Sequence, residues 1–221
     1  MQGDLENRND FLQSLETRLS EYTGDFLQWA GGQKRIGEWE TDYPEWDSID
    51  ALLEQLVRST DFTRWSWRTV NNILYLVARD NECERLIDTL TGNPEAFICL
   101  AREGLRYPDD DARWQFAHHL SDIAGEYPEA EPIMLDYCTD TSEYVKRRAL
   151  LALGYVKSVH AEAKAIEAWH SNLEYQKMAA LETLYQVRSP QLDAYLEFGL
   201  NDKFKYVREN AERIKGIIHH F

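Results

Sequence analysis

The second half of the chain repeats one short segment, and this repetition constrains the fold more than any other feature. The segment reads DTSEYVKRRA over residues 140–149 and DKFKYVRENA over residues 202–211. Both copies place an Asp first, Tyr-Val after three residues, then a base, and an Ala after two more. Self-similarity of this kind is typical of stacked supersecondary units, so we expect a repeat array.

Two weaker copies extend the register toward the amino terminus. One has Lys177, Ala180 and Leu184 at the corresponding offsets, and the other has Arg113, Phe116 and Leu120. The basic position therefore recurs at Arg113, Lys146, Lys177 and Arg208, at a nearly constant spacing. This regularity predicts four comparable units.

The units are predicted to be helical, because apolar residues recur at helical spacing and strand-like alternation is nowhere sustained. Pro94 and Pro128 each precede Glu-Ala, and together with Pro190 they are predicted to open first helices, since Pro is favoured at the first helical position. Second helices are predicted at 110–125, 142–157, 173–187 and 203–220. The chain is therefore predicted to be all-α.

This arrangement resembles the HEAT-repeat family, whose units are two antiparallel helices with a turn Asp and a base near the start of the second helix. The match covers about residues 94–221, and an irregular earlier pair near 48–60 and 63–79 extends it. The resemblance implies a right-handed α-α superhelix, a HEAT-like solenoid of about five antiparallel helix pairs, with residues 46–221 as one continuous domain. It implies no single function.

The marked repeat residues are predicted to be structural. A small Ala and a Leu four residues later share one helix face, so neighbouring helices can approach closely. Asp140 and Asp202 are placed to cap the following helices, and Lys146 and Arg208 are placed to reach an acid of a neighbouring repeat.

Residues 1–45 depart from the repeat and are predicted to form an amino-terminal helical cap and an acidic aromatic loop. The apolar residues of 5–29 predict one amphipathic helix or two short ones, which would cover the end of the array. Residues 31–47 carry no helical signal.

The formal net charge is −15, and residues 1–110 carry 22 acids against 11 bases. An acidic surface repels phosphate backbones and anionic lipid and attracts a basic partner, although solubility alone would also explain it.

Cys83, Cys99 and Cys138 are predicted to be buried free thiols, which fit a reducing compartment. The stretch from Met1 to Leu15 lacks the apolar core of a signal peptide, and no apolar run reaches membrane-spanning length. We expect a cytoplasmic protein that does not enter membranes.

The sequence has no motif for catalysis or for a cofactor. It lacks a nucleophile elbow and a Gly-rich phosphate loop, and His118 and His119 would diverge on a helix. We therefore expect no enzyme activity, no cofactor and no metal site. Nucleic acid is also disfavoured, because the one notable basic cluster, Lys146 to Arg148, is not interleaved with aromatic residues.

The segment from Glu38 to Asp50 is the main candidate contact surface, since it contains six acids, three aromatic residues and no base. Aromatic anchors beside carboxylates suit a basic protein partner. Alternatively, the aromatic side chains fold back onto the core and the acids stay in water. One of Trp65 and Trp67 is expected to be exposed, and Asp109 to Asp111 are either helix caps or a contact. The candidate partner-binding residues are Trp39, Glu40, Asp42, Tyr43, Trp46, Asp47, Trp65, Trp67, Asp109, Asp110 and Asp111.

These features favour a non-enzymatic protein-binding module, most concretely a bacterial immunity protein (antitoxin) that neutralises a basic, nuclease-like toxin. A different hypothesis is a HEAT-like chaperone or lyase-type helper that binds a small cofactor or client in its concave groove. A third, an enzyme that acts on nucleic acid, is disfavoured by the charge. The sequence does not predict an oligomeric state.

Overall fold

A computed structural model describes residues 2–219 of the chain, and the side chains of residues 7–218. These described residues form twelve α-helices and two short 3-10 turns, with about 75% helix and no strand, which confirms the all-α prediction. The chain divides into two compact units, residues 1–116 and 117–221. The domain limits predicted at 1–45 and 46–221 stay a prediction.

The first unit contains five complete helices and the start of a sixth. They are α1 (Gln2–Gly31), α2 (Trp46–Ser59), α3 (Trp67–Arg79), α4 (Arg85–Thr91), α5 (Pro94–Gly104) and α6 (Asp110–Ile123), which ends in the second unit. The prediction that 31–47 is free of helix is wrong in part, because a 3-10 turn covers Trp39–Asp42 and α2 begins at Trp46. Helix α4 was not predicted.

Helices α1 and α3 run side by side in the same direction. The Glu16 carboxylate accepts hydrogen bonds from the Thr69 hydroxyl and the Ser66 backbone N–H, and farther along the Asn72 amide donates to the Ser20 hydroxyl. The amphipathic pattern predicted for α1 is confirmed, since its apolar face is buried at helical spacing.

The second unit contains the remaining helices. They are α7 (Ala130–Tyr137), α8 (Glu143–Tyr155), α9 (Ala161–His170), α10 (Glu174–Gln186), α11 (Leu192–Leu200) and α12 (Lys205–His219). All four predicted second helices, which are α6, α8, α10 and α12, are confirmed, with small differences at their ends. Pro94 opens α5 as predicted, but Pro128 and Pro190 lie in the turns before α7 and α11. The Ala130 N–H donates to the Tyr127 carbonyl across the first turn, and the Gln191 N–H donates to the Ser189 hydroxyl in the second.

Helices α8, α10 and α12 run in the same direction, each displaced by one repeat. Between α8 and α10, the Gln176 amide donates to the Glu143 carbonyl and, two turns later, the Thr183 hydroxyl donates to the Leu150 carbonyl. Between α10 and α12, the Asn210 amide donates to the Met178 carbonyl and, one turn later, Arg213 donates to the Glu182 carboxylate. The repeat Ala residues at the contacts are fully buried, as predicted. Gly199 of α11 lies so close to α12 that an added Cβ would come within 2.9 Å of the Ala211 Cβ.

The charged residues of the repeat segment form hydrogen bonds and ion pairs at the turns that precede the second helices. The carboxylate of Asp140 accepts from the Ser142 N–H and that of Asp202 from the Phe204 N–H, so each closes the turn before its helix. The predicted capping role is wrong for Asp140, because the N-cap of α8 is Ser142, and no capping hydrogen bond from a side chain is formed there. Lys177 pairs with Asp202 of the next repeat. The prediction for Arg208 is wrong, because its guanidinium donates to carbonyls of its own turn.

The turns after α8 and α10 are copies of each other. Lys157 and Arg188 each have a left-handed backbone with φ of 54°. In each turn the next residue, Ser158 or Ser189, donates its N–H to the carbonyl of Leu153 or Leu184. The serine hydroxyl then accepts a backbone N–H from the start of the next turn. A helix end of this kind satisfies carbonyls that would otherwise lack donors.

The cysteines and the membrane prediction have separate outcomes. Cys83 is exposed in the turn before α4, so its predicted burial is wrong, while Cys99 and Cys138 are partly buried. No helix within residues 2–219 combines the length and the apolar character needed to cross a bilayer.

Candidate functional site

The segment Glu38–Asp50 folds against the first unit with its aromatic residues inward and most of its acids outward. Tyr43 and Trp46 are buried, Trp46 to 2% exposure, and Trp39 is half-buried. The aromatic side chains of this segment therefore fold back onto the core, which was the second of the two alternatives. Four acids remain exposed and are called the acidic face here: Glu38, Asp42, Glu45 and Asp47.

A cluster of aromatic rings supports the acidic face from below. Phe26 of α1 is at its centre, with ring centroids 4.9 Å from Tyr43 and 5.3 Å from Trp46. Trp39 stacks on Trp29 with centroids 5.7 Å apart and planes 17° apart. The Trp46 indole N–H also donates to the Glu40 carbonyl at 2.8 Å. Such ring packing, with its polar atom bonded, fixes the segment in one conformation.

Arg79, at the end of α3, joins three of the predicted site residues. Its guanidinium lies 3.4 Å from a carboxylate oxygen of the buried Glu40, pairs with Asp109, and lies 3.6 Å from Asp111. The sequence prediction included these acids but missed the arginine between them. The sequence shows a base in the last turn of α3, but it does not indicate that this base meets acids 39 and 30 residues away.

Burial shifts the titration of this cluster. Loss of solvent raises the pKa of Glu40 above its usual value, although its own backbone N–H and Arg79 oppose the shift. Burial also raises the pKa of Asp111, against a hydrogen bond from Asn81. The nearby Tyr75 and Tyr107 hydroxyls have raised pKa values for the same reason. The arrangement is a carboxylate clamp around a guanidinium, with no activated nucleophile among the groups described in it.

Asp109, Asp110 and Asp111 also bring carboxylate oxygens within 4.8 Å of one another. Two of these three acids already face the Arg79 guanidinium. Arg79 therefore places a positive charge beside two of the three carboxylates. Asp109 in addition accepts a hydrogen bond from the Asp111 N–H at the start of α6, which agrees with the predicted capping role.

A second ion network holds the start of α4. The Asp80 carboxylate is only 3% exposed and accepts the Leu86 N–H, and Arg85 lies 3.3 Å from Asp80 and 3.3 Å from Asp47 of the acidic face. Burial raises the pKa of Asp80 to about 6, against the opposing hydrogen bond from Leu86 and the charge of Arg85. Arg85 thus contacts both the buried Asp80 and the fully exposed Asp47.

Trp65 and Trp67 have opposite environments, as predicted. Trp65 is buried and its indole N–H donates to the Thr60 hydroxyl, whereas Trp67 is 80% exposed. The reason differs from the predicted one, because α3 begins only at Trp67 and Trp65 lies in the turn before it. At about 1.5 Å per residue, Trp67 lies about 18 Å along α3 from Arg79.

The second unit contains a cluster of aromatic and basic side chains that the sequence analysis did not predict. The rings of Tyr144 and Tyr175 alternate with the guanidinium groups of Arg147 and Arg148. The statement that no aromatic residues interleave with the basic cluster is therefore wrong. A Tyr occupies the same position in three of the four repeats, at 144, 175 and 206, near the starts of α8, α10 and α12. This regular spacing was the signal available in the sequence.

No family model matches this chain, and none of the curated proteins is significantly similar to it. The HEAT-repeat resemblance stays a prediction from the internal repeat of the sequence.

Proposed function

We propose that this protein is a non-enzymatic binding module that holds a basic protein partner on the acidic face of its first unit. The observation that carries the proposal is the arrangement of Glu38, Asp42, Glu45 and Asp47, which are exposed on a segment that contains no base. A basic partner would be steered toward this face and held by charge complementarity.

The support beneath the acidic face favours binding. The aromatic cluster and the Trp46–Glu40 hydrogen bond hold the segment in place before any partner binds. A surface that is already ordered loses less conformational entropy on association, so more of the interaction energy becomes affinity. Glu40, Tyr43, Trp46 and Trp65 would act from below, as supports.

The exposed members of the predicted set form the proposed contact surface. Asp42, Asp47 and Asp110 would contribute charge, the half-buried Trp39 would contribute its accessible edge, and Trp67 would contribute an apolar anchor. Trp67 lies about 18 Å along α3 from Arg79, which contacts Glu40 of the segment Glu38–Asp50. This separation is within the width of an interface that buries roughly 800 Å² per partner. Tryptophan is among the residues that most often dominate binding energy.

The specific form of the proposal is an immunity protein that occludes a basic, nuclease-like toxin in the cytoplasm. Its frame is a HEAT-like right-handed solenoid of about five helix pairs, supported by the shared direction of α8, α10 and α12 and their displacement by one repeat. The net charge of −15 suits a partner that itself binds phosphate backbones.

Binding to basic toxins encoded beside the gene tests the proposal. The triple variant Glu38→Lys, Asp42→Lys, Glu45→Lys reverses the acidic face, and the control Glu126→Lys, Glu129→Lys, Asp193→Lys makes the same charge change at exposed acids of the second unit. Calorimetry should show at least a 100-fold weaker Kd for the first variant and less than a threefold change for the control.

Protection of cells that express the toxin should follow the same order. If none of these basic proteins forms a complex, the function is not that of an immunity protein. Equal losses in both triple variants would mean that general charge, and not the acidic face, holds the partner.

A further inference from the structure

A groove in the second unit lies along α8, α10 and α12. Its walls come from equivalent positions of the helices, since Tyr144 and Leu151 of α8 correspond to Tyr175 and Glu182 of α10, one repeat later. The groove has a volume of about 310 Å³. That volume is at the lower end of the range for small-molecule sites in proteins.

Arg147 is held in the groove between two aromatic rings. Its guanidinium carbon lies 4.7 Å from the ring centroid of Tyr144 and 4.8 Å from that of Tyr175. Among the described residues, no carboxylate forms an ion pair with Arg147. A guanidinium stacked between rings keeps the N–H donors of its plane available, so Arg147 is oriented for an anion from outside the chain.

The rest of the lining adds both charged and apolar side chains. The guanidinium of Arg148 also lies over Tyr144, at 5.6 Å, so it is close to Arg147. Arg213 of α12 lines the groove as well and pairs with the Glu182 carboxylate at 2.6 Å. Met178 and Ala179 of α10 contribute apolar surface to the lining.

We propose that this groove binds a small organic phosphate of about mononucleotide size. The guanidinium of Arg147 holds the phosphate, the charge of Arg148 lies nearby, and the apolar lining packs against the body of the molecule. Guanidinium forks match the geometry of phosphate oxygens and form charge-assisted hydrogen bonds with them. This site is independent of the proposed protein-binding function, because it uses different residues in the other unit.

The charge of the protein favours a small ligand over a nucleic acid strand. A polynucleotide gains affinity when many Lys and Arg side chains contact its phosphate backbone. This chain carries a net charge of −15, which opposes such binding. A single phosphate group needs only the local field of two arginines. The two classes therefore make opposite predictions in a binding experiment.

Calorimetry with adenosine 5′-monophosphate tests the proposal, with adenosine and a single-stranded thymidine oligonucleotide as comparison ligands. The mononucleotide should bind the wild-type protein at least tenfold more tightly than adenosine. Arg147→Ala should weaken its binding at least tenfold, and Arg147→Lys should weaken it severalfold, because the charge remains but the fork is lost. Lys203→Ala, an equal charge change outside the groove, should alter Kd less than twofold.

Amide chemical shifts of the wild-type protein give a readout that needs no variant. The mononucleotide should shift the resonances of Tyr144, Arg147, Tyr175 and Met178. Absence of binding at millimolar mononucleotide, shifts confined to other residues, or equal effects of Lys203→Ala and Arg147→Ala would overturn the proposal. An oligonucleotide that binds more tightly than the mononucleotide would overturn it in favour of a nucleic acid surface.

Discussion

Lys177 and Asp202 form an ion pair between successive repeats in which both side chains are nearly buried, 10% and 7% exposed. Lys177 is the repeat base of α10, and Asp202 is the repeat acid that precedes α12. The ammonium also faces the rings of Trp169 and Phe204, at 5.0 and 5.7 Å. The repeat register thus brings the base of one repeat onto the acid of the next.

Asp202→Ala is expected to destabilise the protein by about 3–5 kcal/mol, because it leaves the Lys177 charge buried without its partner. Urea unfolding at pH 7 measures the change. Glu209→Ala provides the control, since it breaks the exposed pair with Lys205. That change is expected to cost no more than about 1 kcal/mol. Equal effects of the two substitutions would contradict a buried, energetically important pair.

Asp202 also makes stability depend on acid pH. Burial raises the pKa of this carboxyl, but hydrogen bonds from Lys177 and the Phe204 N–H outweigh burial and lower it overall. An acid with a lowered native pKa stabilises the fold above the pKa of the unfolded chain, and this contribution is lost as pH falls through the native pKa. Asp202→Asn should therefore lose less stability between pH 5 and pH 2 than the wild-type protein.

Gly199→Ala is expected to destabilise the second unit by about 1–3 kcal/mol, because the new Cβ would overlap the Ala211 Cβ and press on Leu181. The matched control is Gly216→Ala in α12, where an added Cβ meets no atom within 4 Å. Alanine is a better helix former there and should stabilise by about 0.5–1 kcal/mol. Thermal unfolding distinguishes the two, and a neutral Gly199→Ala would mean that α11 and α12 are less tightly packed.

Asp80 should make stability fall as pH rises from about 4 to about 6. Its native pKa of about 6 exceeds the ordinary value of 3.8, so in this range the native state binds more protons than the unfolded chain. The full effect is about 3 kcal/mol. Asp80→Asn keeps an oxygen for the Leu86 N–H and removes the titration. Between pH 4 and pH 7 the denaturant midpoint should therefore fall less for the variant than for the wild-type protein. Equal changes of the midpoint in the two proteins would contradict the raised pKa.

Trp46→Ala is expected to cost about 3–5 kcal/mol and to lower Tm by roughly 10 °C, because the ring is in the core and its N–H is bonded to Glu40. Trp67→Ala should change stability by less than about 0.5 kcal/mol, because its ring is exposed. The same substitution should weaken partner binding at least tenfold if Trp67 is an anchor. Unchanged binding would remove Trp67 from the proposed surface.

The sequence predicted the parts of the fold that depend on local periodicity. The second helices α8, α10 and α12 were placed closely, because apolar spacing and the repeated Asp to Ala segment are both short-range signals. The burial of Trp46 remained one of two alternatives, since a loop carries no periodicity that tells which side of it faces the core.

Contacts across long sequence distances were not predictable from the sequence in the same way. Arg79 meets Glu40 and Asp109, which are 39 and 30 residues away, and nothing in the local pattern of α3 names these partners. Arg147 lies between Tyr144, on its own helix, and Tyr175, one repeat away. Here the repeat spacing did contain the information, but only when the same positions were compared between repeats.

The matching turns at Lys157 and Arg188 have a consequence for how such a chain can change. Both turns have the same backbone conformation and hydrogen bonds, and the stretch from one to the other contains one complete helix pair, α9 and α10. A gene duplication that copied this stretch would join one such turn to another without a new kind of connection. The length of the protein could therefore evolve, or be engineered, in whole helix pairs.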